Sequence, residues 1–320
     1  MAKQNKMENN QYCGSLNRSD LDKILTSEFG ISSVKLTRIE TGETNEVYVV
    51  ESNNYRMLLK IVQNHMKQKI DKQQLLQPLL MKSGIRVPKR VKSFSPIVNT
   101  DYSYIIDEWI PSKPASNYFG TLLNHTLTQD FVNDLKVVLT QVHAMSFLRF
   151  GDINKSGEGV YSDWQSYLSN TLNLEYIDAA MRSTSVPKNL LERSANLIRN
   201  LSDWGLKCEQ GKLVHGDMNL KNILVDSNTR ILGVVDWDES IIGDPLWDYA
   251  SMWLWYEDRM PIWQLMNQDL SITSTQKDVI KRLKCYRALQ AIRESINYSH
   301  KNWAIHAWQR LHQALEQINF

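Results

Sequence analysis

The sequence predicts an α+β fold of two lobes, in which a small β-rich N-terminal lobe precedes a larger and mainly helical C-terminal lobe. Short runs with period-2 alternation of apolar residues are concentrated in the first third of the chain. Apolar residues at three- and four-residue spacing dominate from Thr128 onward, as amphipathic helices require. The 320 residues suffice for two sizeable cores, and we place the boundary between residues 1–107 and 108–320.

Composition and charge narrow the class of protein and its partners. Apolar residues make up 42% of the chain and charged residues 22%, which is typical of a globular protein. The net charge of +2 favours neither nucleic acid nor a membrane surface as a partner, and no run of about 18 apolar residues predicts a transmembrane helix. The start of the chain lacks the apolar core of a signal peptide, and the three cysteines are far apart. We therefore expect a cytoplasmic protein with free thiols, whose oligomeric state the sequence does not predict.

The N-terminal lobe is expected to contain a helix, three strands, a second helix and a further strand. Residues 1–17 are rich in Asn, Gln and Lys and predict a disordered extension, after which Ser19 and Asp20 cap the first helix. A second helix is expected over 65–83, with Gly84 as its stop. The strands are predicted over Val34–Glu40, Val47–Val50, Met57–Val62 and Tyr102–Ile106.

The C-terminal lobe is predicted to begin with an amphipathic helix that ends at His143, which we interpret as a core or capping residue. A second helical run covers Tyr249–Trp255, and four basic residues further on predict a solvated helix face. The apolar stripe of the first helix comprises Phe131, Leu135, Val138, Leu139 and Val142; the basic face comprises Lys277, Lys281, Lys284 and Arg287.

Two β-prone runs, Ile223–Val225 and Ile231–Val235, flank a turn-rich segment and predict a hairpin. Asn222 and Asp236 lie almost symmetrically about its turn, so antiparallel pairing would place them opposite one another, within reach of one cation. An amide oxygen and a carboxylate suit Mg²⁺. Asp217 precedes Asn222 by five residues, where a carboxylate could orient a hydroxyl for phosphoryl transfer. The alternative is a surface hairpin with solvated polar side chains. The segment with Asp217 and Asn222 is followed in order by the segment with Asp236, and this order favours a phosphoryl-transfer site.

The segment His215–Asn222 resembles the catalytic loop of the aminoglycoside phosphotransferase family, which are small-molecule kinases with a two-lobed, protein-kinase-like fold. Asp236–Asp238 is similar to the metal-binding segment of that family, and Gly243–Asp248 to a conserved segment that follows it. A loop and helix entry at 157–167 resembles hygromycin-phosphotransferase-like members. The resemblance implies transfer of the γ-phosphate of ATP to a hydroxyl group, with Mg²⁺ as cofactor.

The same resemblance implies roles for individual residues. Asp217 would be the catalytic carboxylate, and His215 would brace its loop. Asp248 belongs to the matching segment, or simply caps its helix, and the role of Asp238 stays open. The metal ligands would be Asn222 and Asp236; the nucleotide would be bound by Lys60, by the loop residues Gly42 and Asn45, and by main-chain atoms of Glu108 and Ile110.

Lys60 lies within an apolar strand, where a lysine is either an edge-strand charge or a buried group with an anionic partner. By resemblance it reaches the α- and β-phosphates and pairs with a glutamate of the following helix. Here the sequence departs from the family pattern, because the corresponding position falls near Gln73 and the only acid of that helix is Asp71. Either Asp71 pairs with Lys60 or Gln73 supplies a neutral hydrogen bond.

The acceptor is expected to be a small molecule with a hydroxyl group, such as an aminoglycoside or aminocyclitol antibiotic or a related natural product. Residues 211–259 contain nine acids and four bases, which suits a cationic acceptor, but residues 271–320 contain eight bases and three acids. A metabolite kinase of the choline, homoserine or thio-sugar type would use the same residues. A non-catalytic, kinase-like binding module is the remaining alternative, and the choice between ATP and GTP stays open.

Overall fold

The computed structural model describes Leu16 and residues 18–30, 35–39, 46–52, 55–119, 125–171, 206–256, 272–297 and 301–316, with a few single positions between 189 and 196. The chain divides into two compact units. The first contains residues 1–70 and 88–109, and the second contains residues 71–87 and 110–320. The stretch 71–87 thus belongs with the second unit, although the sequence interpretation placed it before the lobe boundary at 107/108.

The first unit is an antiparallel sheet with a helix packed on one face. Helix α1 covers Arg18–Phe29; the strands are β1 (Lys35–Ile39), β2 (Glu46–Glu51), β3 (Arg56–Gln63), β4 (Arg90–Pro96) and β5 (Tyr102–Glu108), in the order β1-β2-β3-β5-β4. The apolar face of α1, with Leu21 and Ile24, packs on Tyr48, Leu59 and Ile61 of the sheet. The four predicted strands are confirmed within two residues at each end, but β4 was missed because its sequence is mostly polar and its pairing with β5 is irregular.

Helix α2 covers Lys67–Lys82 and follows a short 3₁₀ turn at Asn64–Met66, which confirms the second predicted helix. The division between the units falls within it, after Ile70.

The second unit contains five further helices and two small sheets in its described part. The helices are α3 (His125–His143), α4 (Trp164–Thr171), α5 (Leu246–Tyr256), α6 (Ser274–Asn297) and α7 (Lys301–Glu316). One sheet joins β7 (Ser146–Phe147), β8 (Phe150–Ile153), β9 (Gly159–Tyr161), β10 (Gly211–Val214) and β13 (Ile241–Gly243); the other joins β6 (Lys113–Pro114), β11 (Ile223–Val225) and β12 (Ile231–Val234).

Two apolar cores support these elements. One joins α2 and α3 to strands β10, β11 and β12, and the other joins α4, α5, α6 and α7. The predicted stripe on α3 faces the first of these, since Phe131, Leu135, Leu139 and Val142 are buried there. None of the described helices combines the length and apolar character that crossing a membrane would require.

The predicted solvated face of α6 is wrong. Lys284 is fully buried, with its ammonium 5.6 Å from the ring centre of Trp253, and Arg287 is half-buried beside Trp247. Lys277, Lys281 and Arg287 are partly open to solvent.

Candidate active site

The loop that carries Asp217 is held between buried strands. Strand β10 ends at the buried Val214, and the loop returns to β11 at the buried Ile223. The predicted hairpin is confirmed, because β11 pairs antiparallel with β12. Its turn is closed by Asp226, whose Oδ1 accepts hydrogen bonds from the main-chain N–H groups of Asn228 and Arg230.

The predicted register of the hairpin is off by one residue. Ile223 lies opposite Val234, and the Val235 N–H donates to the Asn222 carbonyl at 2.9 Å, so that Asn222 faces Val235 rather than Asp236. Asp236 follows with a left-handed backbone (φ 69°) and turns out of the strand. The symmetry argument from the sequence assumed a regular ladder, but the pairing shifts between Leu224 and Val225, and the positive φ angle then ends the extended backbone at Asp236.

The Asp217 carboxylate is fixed by two amide side chains. Its Oδ2 accepts hydrogen bonds from Asn219 Nδ2 at 2.9 Å and from Asn222 Nδ2 at 3.1 Å. Burial raises the pKa of Asp217 to about 6, although the positive charge of Arg287 opposes the shift. Asn219 was missed as a site residue, because an amide two residues after the acid reads as an ordinary loop residue.

His215 is fully buried and connects the loop to the hairpin. Its Nε2 lies 3.0 Å from the Val235 carbonyl oxygen, and its Nδ1 accepts a hydrogen bond from the Asp217 N–H at 3.3 Å. This network assigns a neutral ring with the proton on Nε2. The ring also packs on Trp237, with ring centres 4.5 Å apart. His215 therefore acts on Asp217 through the main chain.

Asp248 also fixes the loop that carries Asp217. It is completely buried; its Oδ1 accepts from the Gly216 N–H at 3.0 Å and its Oδ2 from the His215 N–H at 3.1 Å. Oδ2 also lies 3.0 Å from Nε2 of His143. Helix α5 is capped instead by Asp244, whose Oδ1 accepts from the Leu246 N–H. Asp248 is thus a brace of the loop and not a helix cap, and His143 is its partner.

The residues expected to hold Mg²⁺ fit that ion by their donor atoms. Asn222 uses its amide nitrogen on Asp217, which leaves its carbonyl oxygen for a cation, and the Asp236 carboxylate is exposed. Within the described residues no group of three His, Cys, Asp or Glu side chains is placed to bind a metal. Two protein oxygens suffice for Mg²⁺ when water and phosphate oxygens complete its shell.

In the first unit, Lys60 forms an ion pair with Asp107 at 3.1 Å, and Asp107 also binds Arg90. Sequence reasoning missed both residues and offered Asp71 or Gln73, which belong to the second unit.

Four residues were expected to bind the nucleotide phosphates and base, and the structure describes two of them. Gly42 and Asn45 lie outside the described residues. The Glu108 N–H donates to the Lys89 carbonyl at 2.9 Å, so this N–H cannot serve a nucleotide base. Ile110 is buried and belongs to the second unit.

A cavity of about 230 Å³ in the second unit is lined by groups of both charges. Asp152 and Glu239 contribute carboxylates, Arg287 contributes a guanidinium, and aromatic walls come from Tyr167 and Trp247. Arg287 is also linked to the loop that carries Asp217, because its Nε donates to Ser251 and Ser251 donates to the Gly216 carbonyl.

Comparison with solved structures gives the same fold. Aminoglycoside phosphotransferase APH(4)-Ia matches with a TM-score of 0.76 at 16% identity, over 95% of this chain and 100% of that one. Its ternary complex with AMP-PNP and hygromycin B matches with a TM-score of 0.72 at 18% identity, over 93% and 98% of the two chains. The APH(2")-IIia complex with GDP and kanamycin matches with a TM-score of 0.69 at 14% identity, over 94% and 99%.

Curated relatives match more locally. The chain is 27% identical to hygromycin-B 4-O-kinase of Escherichia coli over 107 residues, which are 33% of this chain and 30% of the relative. It is 24% identical to acyl-CoA dehydrogenase family member 11 of Rattus norvegicus over 241 residues, which are 69% of this chain and 28% of the relative. The matched regions thus span less than a third of either relative.

The matches with solved structures give the chain a two-lobed, protein-kinase-like fold. Residues 35–273 match the phosphotransferase enzyme family, and the chain belongs to that family. The resemblance to aminoglycoside phosphotransferases, first apparent in His215–Asn222, is thereby confirmed.

Proposed function

We propose that this protein transfers the γ-phosphate of ATP to a hydroxyl group of a small molecule, such as an aminoglycoside, an aminocyclitol or a related natural product, in the cytoplasm. The observation that carries the proposal is the fixed orientation of Asp217. Two amides hold one of its oxygens, while Asp248 and His215 hold its loop. A carboxylate prepared in this way suits the positioning of an acceptor in a loose phosphoryl-transfer transition state.

In the proposed mechanism Asp217 accepts a hydrogen bond from the acceptor hydroxyl and directs its oxygen at the γ-phosphorus. As the new P–O bond forms and the bond to ADP breaks, the hydroxyl proton passes late to Asp217. Lys60 binds the α- and β-phosphates. Asn222 and Asp236 would hold Mg²⁺, which would neutralise charge on the transferred group when bound. Gly42 and Asn45 at the phosphates, and main-chain atoms of Glu108 and Ile110 at the base, stay proposals by resemblance.

The cavity beside Arg287 favours a polar acceptor that need not be strongly cationic. Two carboxylates can bind ammonium or hydroxyl groups, but Arg287 opposes a dense positive charge close to Asp217. This observation keeps a metabolite kinase of the choline, homoserine or thio-sugar type as a second candidate.

The test is ADP release at saturating Mg·ATP over a panel of hygromycin B, kanamycin, choline, homoserine and hydroxylated natural products. Wild type is compared with Asp217→Asn and with Asp278→Asn, which makes the same change at an exposed aspartate of α6. One acceptor should raise turnover in wild type and Asp278→Asn, whereas Asp217→Asn should lose about a thousandfold or more in kcat with nucleotide affinity kept within about threefold. Equal turnover in all three proteins would refute the role of Asp217, and nucleotide binding without any accepted hydroxyl would favour the binding module.

A further inference from the structure

Lys60 has its ionic partner within its own sheet. The register places Lys60 opposite Ile105 and Leu58 opposite Asp107, so Lys60 and Asp107 point to the same face of neighbouring strands. Diagonal neighbours of this kind lie within reach of a long side chain. The ammonium of Lys60 accordingly lies 3.1 Å from Oδ2 of Asp107.

Asp107 is shared with a second cation. Arg90 lies directly opposite it on β4, and Arg90 Nε is 2.5 Å from Oδ1. The side chains of Asp107 and Arg90 are only 4% and 8% exposed, while that of Lys60 is 19% exposed. A buried carboxylate needs compensating charge, and here each oxygen has its own cation. The three side chains together carry one net positive charge.

We propose that Asp107 is a positioning residue for nucleotide binding: it fixes the Lys60 ammonium through one oxygen while Arg90 fixes Asp107 through the other. The inference rests on the proposed function, in which Lys60 binds the nucleotide phosphates. An ammonium has three N–H groups, so one bond to Asp107 leaves two for phosphate oxygens. Because Arg90 balances the carboxylate, the phosphates meet a net positive charge at Lys60.

The benefit is preorganisation. A free lysine side chain loses rotamer entropy when it is fixed, and a lysine already held in place loses less on binding. Asp107 thereby takes the place that a helix glutamate was expected to fill. It does so from within the sheet that carries Lys60.

The experiment is a double-mutant cycle on nucleotide affinity, with the full chain and with Mg·ATP and Mg·GTP as probes. Calorimetry would give Kd for wild type, Lys60→Met, Asp107→Asn and the double variant. Each single change should weaken binding about tenfold, and Asp107→Asn should add less than about twofold in the Lys60→Met background. Independent, multiplying effects would overturn the inference, as would an unchanged affinity in Asp107→Asn.

Two controls separate positioning from folding and from the proposed function. Glu28→Gln removes another carboxylate of the first unit, which is paired with Lys92 of β4 at 3.1 Å, and nucleotide affinity should stay within about twofold of wild type. Asp107→Asn leaves Arg90 without its counter-ion, which could itself disturb the fold. The double variant Asp107→Asn/Arg90→Gln removes both charges, and its nucleotide affinity should equal that of Asp107→Asn. If wild type binds neither nucleotide, the proposed function fails and the inference with it. If wild type and Lys60→Met differ but Asp107→Asn matches wild type, the inference alone fails.

Discussion

Asp248 accepts three hydrogen bonds at a completely buried position, and replacing it by asparagine would remove one of its two acceptor atoms. Oδ2 serves His215 and His143, whereas Oδ1 serves Gly216 alone. The new NH₂ group is therefore tolerated best at the Oδ1 position. There it would face the Gly216 N–H, donor against donor.

The cost follows from that single mismatch. An unsatisfied buried donor costs about 1–3 kcal/mol, and a hydrogen bond to a charged acceptor contributes about 1.5–3 kcal/mol. The two estimates overlap because they concern the same N–H, so we expect Asp248→Asn to lower the free energy of unfolding by about 2–4 kcal/mol. Since Gly216 precedes Asp217, the loop should also lose its orientation, with kcat falling by about tenfold or more.

Urea unfolding and ADP-release kinetics would measure the two effects. Asp244→Asn is a matched control from the same segment, because asparagine caps a helix about as well as aspartate does and the buried Asp244 has a raised pKa. That control should change the free energy of unfolding by less than about 0.5 kcal/mol. If the two variants lose equal stability, or if Asp248→Asn turns over like wild type, Asp248 does not anchor the loop.

Three further expectations concern the β11–β12 hairpin and its surroundings. Asp236→Asn should raise the Mg²⁺ concentration needed for half-maximal nucleotide binding by about tenfold or more, measured by titration at fixed ATP; an unchanged requirement would remove Asp236 from the metal site. Hydrogen bonds from Arg230 lower the pKa of Asp134. The stability that these bonds provide is therefore complete above the ordinary aspartate pKa of about 3.9, and it is lost as the pH falls through the lower pKa of the folded state. Wild type should therefore be more stable to urea than Asp134→Asn at pH 7 and lose that advantage in strong acid, and a difference that persists there would contradict the assignment. Gly216 has φ +85°, and an added Cβ would lie 2.0 Å from the Glu239 carbonyl oxygen, so Gly216→Ala should lower both Tm and kcat; an active, equally stable variant would show that the loop can move.

The local sequence pattern was sufficient to predict the strands that carry the proposed site residues. The alternation in Met57–Val62 and the runs on either side of Asp226 predicted strands that the structure contains, because side-chain period and turn chemistry are properties of neighbouring residues. The register at Asp236 was not predictable in the same way. Asp236 has a left-handed backbone, and although aspartate is enriched at positive φ, the residue type alone does not predict that conformation.

The partners of Asp248 and Lys60 could not be predicted from the sequence for a different reason. His143 and Asp248 are 105 residues apart, and Lys60 meets Asp107 through strand pairing that depends on the order of the whole sheet. The sequence does not show whether an acid is buried, because its cationic partners come from distant parts of the chain. The prediction of a solvated basic face on α6 was wrong for a similar reason, since Lys284 is buried and Arg287 is half-buried beside Trp247.

The nine acids of residues 211–259 suit a cationic acceptor by their number, but the structure gives several of them other roles. Three of the nine have structural roles, because Asp226 closes the hairpin turn, Asp244 caps α5 and Asp248 holds the loop before Asp217. Two more, at positions 257 and 258, lie outside the described residues. Asp238 is buried, and Asp217 and Asp236 are proposed for the reaction and for Mg²⁺, so Glu239 is the acid of this segment that lines the cavity beside Arg287. Net charge along a segment therefore overstates the field that an acceptor would experience, and a panel of acceptors should include neutral and zwitterionic hydroxyl compounds beside the polycations.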